Sequence, residues 1–202
     1  MNALKTAATA LLLAGLLAAC ASPSPAPVLL TLPPAATPLA SATPGTPASA
    51  PLLAVRRINI PEYLVARRVR YRADASTLAE WPNTFWAERI EIGVSREFVS
   101  ALRQQLPGWA LCDTNCGDAV PALSLQVDLV PMDFVRGTGR LQSRARVVLS
   151  SGSLPARELK TQELGYDLPA SGDTAQAHAQ AISELLRQVA LAVAPMVRDA
   201  PR

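Results

Sequence analysis

Histidine is nearly absent from this sequence, which contains only His178. General acid–base catalysis most often depends on a positioned histidine, and this one falls in the middle of an amphipathic segment. The sequence also lacks a Gly-x-Ser-x-Gly elbow, a His-Glu-x-x-His pair and a phosphate-binding glycine loop. Asp128 and Asp133 could form a carboxylate pair, but the first lies on the polar face of a predicted strand and the second lies beyond a proline. We therefore expect neither an enzyme nor a bound cofactor or metal.

Aromatic side chains are scarce as well, at 4% of the 202 residues. Half of the residues, 50%, are hydrophobic, but many of these are alanines near the N-terminus. The hydrophobic core must therefore be aliphatic. The length fits one domain with a tether, and it is large enough to bury such a core.

The first residues have the layout of a signal peptide. Lys5 supplies a positive charge, residues 7–16 form an apolar run, and Leu-Ala-Ala-Cys ends the segment with small residues before Cys20. The run is shorter than the roughly 20 residues that span a bilayer, which argues against an uncleaved transmembrane helix. Leu-Ala-Ala-Cys resembles the bacterial lipobox, in which the cysteine is acylated. We predict that residues 1–19 are a signal peptide and that Cys20 carries lipid.

The predicted acylation of Cys20 implies a durable membrane anchor. Each buried CH₂ contributes about 0.8 kcal/mol, so two or three acyl chains hold a protein where one chain binds only reversibly. By resemblance to bacterial lipoproteins, Ala21 in place of aspartate directs the protein to the outer membrane. We expect an outer-membrane lipoprotein that faces the periplasm.

Cys112 and Cys116 are the remaining cysteines. An even pair in an oxidising compartment favours a structural disulfide, which would constrain the unfolded chain by roughly 2 kcal/mol. A redox centre usually has two residues between its cysteines, and no second cluster of Cys or His is present to complete a zinc site. We predict a disulfide, with a redox or metal site as the alternatives.

A net charge of +3 would suggest nucleic acid as a partner, but export removes that partner. Anionic lipid or an acidic protein surface is the better interpretation. In the predicted strand 68–72, three arginines alternate with Val69 and Tyr71, so one strand face is basic. A solvated sheet face explains this pattern, and contact with lipid headgroups or a partner's carboxylates is the alternative.

Residues 21–51 are dominated by Pro, Ala, Ser and Thr, a composition that predicts an extended linker. One apolar island, residues 28–32, is long enough for a single strand. If it pairs with the domain, the tether is only residues 21–27 and residues 33–51 form a surface loop. If it does not, the whole segment is a spacer. We favour pairing, and we place the tether at 20–51 and the domain at 52–198.

Two amphipathic helices are predicted in the domain. Apolar residues recur at four-residue spacing from Ile90 to Leu106, and Pro107-Gly108 ends this helix. Gly93 inside it indicates close packing or a later start. Asp173 and Gln176 form a candidate capping box for a second helix, which Pro195 should end.

Alternating apolar and polar residues predict the strands. Residues 123–129 and 141–149 should form a hairpin, and the more polar residues 156–168 should form a shallow or edge strand. Further strands are expected at 52–61 and 68–72. The predicted class is α+β, with a single largely antiparallel or mixed sheet of about five to six strands packed with two amphipathic helices.

The sequence also resembles a known family. The motifs are Ile60-Pro61-Glu62-Tyr63-Leu64, the following Arg67 and Tyr71, and Phe85-Trp86-Ala87-Glu88. In this order they resemble the ABC-type transport auxiliary lipoproteins (PqiC/YmbA-like), which show a Pro-x-Tyr-Leu turn, an arginine and a Trp-Ala-Glu start of the first helix. The similarity runs from about Leu52 to Pro195. Cys112 and Cys116 are not part of the family pattern.

The resemblance implies an accessory subunit of an MCE/ABC-type lipid transport system. Its partners would be an MCE-domain protein, inner-membrane transporter subunits and membrane lipid, and a homo-oligomer is compatible with this role. Tyr63, Arg67, Trp86 and Glu88 are the candidate partner contacts, since tryptophan is enriched at interface hot spots. Packing of the helix start onto the sheet explains Trp86 and Glu88 equally well.

Two other functions fit the same sequence. The aliphatic sheet face and the two helices could enclose a groove for acyl chains, which would make the protein a lipid carrier. Alternatively, the protein could be an assembly or plug lipoprotein of an outer-membrane complex. A carrier should retain lipid when isolated, whereas a docking subunit should be empty alone and bound to its partner.

Overall fold

The computed structural model describes residues 25–35, 50–113, 116–153 and 155–201, so Cys20 and the signal peptide lie outside it. In the described residues, one mixed sheet of eight strands packs against two helices. The strands are β1 (Val28–Leu30), β2 (Leu52–Val55), β3 (Arg68–Arg72), β4 (Leu78–Trp86), β5 (Ala110–Cys112), β6 (Leu123–Val135), β7 (Arg140–Ser151) and β8 (Glu158–Pro169). The helices are α1 (Ile90–Gln105) and α2 (Ala175–Arg198). The predicted α+β class is confirmed, with more strands than expected.

Strand β6 organises the sheet because it is long enough to pair with three neighbours. One of its edges pairs with β7 in the predicted antiparallel hairpin, and β7 pairs in turn with β8. The other edge is shared, since the start of β6 runs parallel to β2 while its end meets β3. Strands β4 and β1 extend the sheet beyond β3, and β5 extends it beyond β2.

The two faces of the sheet have different compositions. On the face that the helices cover, every second residue of β6 from Leu123 to Leu129 is at most 1% exposed. The α1 stripe predicted from Ile90 to Leu106 packs in the same core as the apolar stripe of α2. Burying each such aliphatic side chain contributes about 1.5–3 kcal/mol. The opposite face, called the open face below, carries polar side chains such as those of Arg144 and Arg146.

The apolar island before the Pro-rich segment is part of this core. Strand β1 runs parallel to β4, with Leu30 opposite Trp86. Beyond β1 the chain crosses both helices: Ser183 Oγ of α2 donates to the Pro33 carbonyl at 2.7 Å, and the Ala35 amide donates to Glu97 Oε2 of α1 at 3.2 Å. We call residues 28–35 the N-terminal strap. Of the two alternatives for this segment, the structure shows the paired one.

Two strands of the structure were not predicted from the sequence. The segment before α1 forms β4, which continues through Pro82 and Asn83, and Asn83 takes a left-handed φ of 47° there. The short strand β5 was not predicted, and it ends at Cys112, which is joined to Cys116 by a disulfide with a Cα–Cα distance of 5.3 Å. The polar residues of β4 and its Pro-Asn pair do not alternate as a strand pattern would. This strand forms because it pairs with β1 and β3, which the local sequence does not indicate.

Helix α2 also corrects the sequence prediction at both ends. Its N-cap is Thr174, whose Oγ1 accepts from the Ala177 amide at 3.1 Å, while Asp173 instead pairs with Arg136. The helix continues through Pro195 to Arg198. Proline removes one helical hydrogen bond, a modest loss so close to the end of the helix. No helix among the described residues has the length and hydrophobicity needed to cross a membrane.

Candidate partner-binding site

A cleft of about 400 Å³ opens where β4 ends and α1 begins. It lies between the loop before β3 and the first residues of α1. Three of the four predicted contact residues, Arg67, Trp86 and Glu88, line this cleft. The remaining lining residues are Val65, Ala66, Ala87, Arg89, Ile90 and Glu91.

Backbone hydrogen bonds fix the walls of the cleft. The Trp86 amide donates to the Arg67 carbonyl at 2.7 Å, and the Ala87 amide donates to the Leu30 carbonyl at 2.8 Å. Arg89 then takes an extended conformation as the N-cap of α1. The Trp-Ala-Glu motif therefore connects the end of β4 to the start of α1. Side chains at this connection line the cleft.

The charged groups of the cleft differ in their accessibility. The exposed Arg67 has no ion-pair partner in the described part of the chain, and its guanidinium stacks 6.0 Å from the Phe85 ring centroid. Arg89 pairs with Oε1 of Glu91, whereas the buried Oε2 of Glu91 has no hydrogen-bond partner among the described residues. The cleft thus offers the guanidinium of Arg67 as an accessible cationic donor, which suits an acidic or carbonyl group of a polypeptide.

Glu88 is committed to contacts within the chain. Arg96 donates to Glu88 Oε2 at 2.7 Å and to Glu97 Oε1 at 3.1 Å. The hydrogen bond from Arg96 lowers the pKa of Glu88, so its carboxylate stays ionised. A Cβ added at Gly93 would lie 3.3 Å from Glu88 Oε1, which explains a glycine at this point of α1. Glu88 therefore shapes the cleft wall.

Trp86 is only 5% exposed and packs the helix start onto the sheet. Its ring lies 6.4 Å from that of His178, which stacks on Phe134 at 4.6 Å. Burial lowers the pKa of His178 to about 3, so the imidazole is neutral near pH 7 and serves as a core side chain. In the described residues no group of three or more His, Cys, Asp or Glu side chains is placed to hold a metal.

Tyr63, the fourth predicted contact, lies in a separate network. Its hydroxyl donates to Asp133 Oδ1 at 2.9 Å, and Arg72 Nε donates to Asp133 Oδ2 at 2.8 Å. Burial, together with the Asp133 carboxylate, raises the pKa of Tyr63. Asp128 is not near this site, since it lies opposite Arg146 in the sheet register. The Pro-x-Tyr-Leu turn thus fastens the chain before β3 to the open face.

Sequence reasoning did not include Arg89 and Glu91 among the contacts. Both follow the Trp-Ala-Glu motif directly, so extending the motif by three residues would have found them. Phe85 was recognised only as part of the motif. Its stacking with Arg67 and Arg68 depends on strand pairing, for which the local sequence gives no signal.

The fold is shared with two solved structures. An uncharacterized protein aligns with a TM-score of 0.67 at 17% identity, over 86% of this chain and 99% of its own. Protein XCC0632 from Xanthomonas campestris, of family DUF330, aligns with a TM-score of 0.64 at 16% identity, over 84% of this chain and 94% of its own. A search of curated protein sequences finds no match. Identities this low establish the architecture alone.

The sequence itself establishes the family. The profile of the ABC-type transport auxiliary lipoprotein component matches residues 30–194, which includes strands β2 to β8, α1 and most of α2. The chain belongs to this family of transport auxiliary components, which is not an enzyme family. Membership in a family of lipoproteins also indicates membrane anchoring.

Proposed function

We propose that this protein is the membrane-anchored accessory subunit of an MCE/ABC-type, PqiABC-like lipid transport system. In this role it docks a periplasm-spanning MCE-domain partner at the outer membrane, where acylated Cys20 holds it. The family match over residues 30–194 is the observation that carries the proposal. The predicted lipobox supplies the anchor.

The cleft is the proposed contact point for the partner. A protein interface needs buried anchoring groups with a polar rim around them. Here Ile90 and the edge of Trp86 form an apolar floor, and the free charge of Arg67 stands at the rim. An acidic side chain of the partner would neutralise Arg67.

Packing of the core favours docking over lipid carriage. An acyl chain would need a long apolar channel between the sheet and the helices. In the described residues, the cavity beside His178 and Met132 in that layer measures about 10 Å³, which is room for about one water molecule. Phe98 and Leu185, which lie in the same layer, are fully buried.

The docking function can be tested by cross-linking in native membranes. A C-terminally tagged full-length protein is cross-linked, purified in mild detergent and analysed for proteins and lipids by mass spectrometry. The wild type should recover an MCE-domain protein, and Arg67→Glu should reduce that recovery about ten-fold or more, because it would place like charges opposite each other at the contact.

Arg103→Glu is the matched control. Arg103 is an exposed arginine near the end of α1 with no ion-pair partner in the described chain, so the same charge reversal there should leave recovery unchanged. Equal losses in both variants would contradict the cleft as the contact point. Recovery of bound lipid without any MCE-domain protein would contradict docking and favour the carrier.

A further inference from the structure

The distance between the anchor and the domain is short. Four residues lie between Cys20 and Pro25, where the described chain begins, and the five Cα-to-Cα steps from Cys20 to Pro25 span at most about 17 Å. Asn83 Nδ2 donates to the carbonyls of Pro25 and Ala26 at 2.8 and 3.0 Å, so the chain is fastened to β4 from its first described residue. With Cys20 acylated, as the proposed function includes, this edge of the sheet lies within about 17 Å of the bilayer surface.

An apolar pair of side chains, Leu29 and Phe85, lies next to this point. Leu29 is 56% exposed and pairs with Phe85 in the β1–β4 register. The neighbouring residues Leu30 and Trp86 point into the core, so Leu29 and Phe85 lie on the open face.

Arginines flank this apolar pair. The Arg68 guanidinium lies 5.0 Å from the Phe85 ring centroid, and Arg67 lies 6.0 Å from it. Glu80 is the carboxylate near these arginines, and Arg68 and Arg70 share it at 3.4 and 3.3 Å. Positive charge is therefore in excess here. An apolar centre with a rim of arginine is the composition of membrane-surface segments, which bind anionic headgroups while burying apolar side chains.

We propose that this membrane patch, formed by Leu29, Phe85 and Arg68, rests on the anionic surface of the bilayer that holds the acyl anchor. The short tether makes the bilayer the nearest apolar surface to the patch, and the charge of the patch complements anionic lipid. Arg67 stands at the border between the patch and the cleft. The cleft mouth consequently lies beside the headgroups, where a partner that exchanges lipid with the membrane must arrive.

The patch can be tested with a single fluorescent label on the full acylated protein. Cys20 carries lipid and Cys112 is bonded to Cys116, so Leu29→Cys supplies the one reactive thiol. The matched control is Leu191→Cys on α2, where Leu191 is 41% exposed on the helix layer, on the other side of the molecule. Both labelled proteins are reconstituted in phosphatidylethanolamine vesicles with phosphatidylglycerol and a headgroup nitroxide lipid.

Quenching of the label at position 29 should be at least about two-fold stronger than quenching of the label at position 191. The reason is that headgroup contact brings the nitroxide close to position 29. Arg68→Ala and neutral phosphatidylcholine vesicles should each weaken quenching at 29. Equal or stronger quenching at 191, in protein that stays with the vesicles after a salt wash, would overturn the patch. Unchanged quenching in neutral vesicles would overturn its preference for anionic lipid.

The outcomes separate this inference from the docking function. Removal of the protein from the vesicles by the salt wash would contradict both the acyl anchor and the membrane patch. Strong quenching at position 29 in a protein that recovers no MCE-domain partner would leave the patch established and the docking function refuted.

Discussion

The two faces of the sheet, although built from the same strands, differ in burial and in charge. The covered face is apolar and closely packed, and even its histidine is held neutral, with a pKa of about 3. The open face holds its charges in pairs across strands, such as Arg72 with Asp133 and Arg140 with Asp167. Stability therefore resides mainly in the covered face, whereas the open face can change its charges to suit a membrane or a partner. Three substitutions test this contrast.

The largest effect is expected on the covered face. Phe134 is 1% exposed, stacks on His178 and lies 6.3 Å from the Trp81 ring. Phe134→Ala should lower the free energy of unfolding by about 3–5 kcal/mol, because the cavity it leaves cannot close completely. Urea unfolding in mild detergent measures the loss.

Val130→Ala is the control. At this position, which is 50% exposed, the substitution should change the free energy of unfolding by less than about 0.5 kcal/mol. Similar losses in both variants would refute the contrast between the faces.

A second effect should appear with pH. The unfolded chain binds a proton at His178 near pH 6.5, while the folded chain resists it until about pH 3. The stability contributed by neutral His178 is therefore present above pH 6.5 and is lost as the pH falls toward 3. At pH 5 the loss should be about 2 kcal/mol.

His178→Phe isolates this contribution. The variant should lose less stability than the wild type between pH 7 and pH 5, as measured by urea unfolding at each pH. Comparing the change with pH, rather than the absolute stability, removes the effect of the altered packing. Parallel pH profiles for the two proteins would show that His178 is accessible to protons in the folded state.

The smallest effect is expected on the open face. Arg140 and Asp167 pair at 2.7 Å, but their side chains are 38% and 53% exposed. Asp167→Asn should therefore cost about 0.5 kcal/mol or less, and added salt should reduce the difference further. Urea unfolding at two salt concentrations measures both. A decrease of more than about 1 kcal/mol in the free energy of unfolding would mean that the open face also contributes substantially to stability.

The covered face could be predicted because its signal is periodic. Alternation in β6 and the stripe of α1 identify buried positions without knowledge of their partners. The same procedure failed where tertiary pairing overrides local pattern. Strand β4 contains Pro82, and α2 passes Pro195, because both prolines lie at exposed positions where a missing amide costs little.

The candidate site was only partly predictable. Arg67, Trp86 and Glu88 came from motif resemblance, and the sheet-to-helix crossover brings them together. Tyr63 belongs to a network with Asp133, which lies 70 residues away, and no local signal predicts that contact. The patch around Leu29 likewise depends on the register between β1 and β4. The acylation of Cys20 stays a prediction.

The N-terminal strap determines what a protease can release. The predicted anchor at Cys20 would join the domain through strand β1, and Leu30, Leu32 and Ala35 are buried in the core. A cut anywhere in residues 36–49 would leave the strap held by the sheet and by both helices, so the domain would stay on the membrane. Shedding requires a cut among the few residues between Cys20 and Pro25, a target shorter than the extended segment that most proteases need in their active sites.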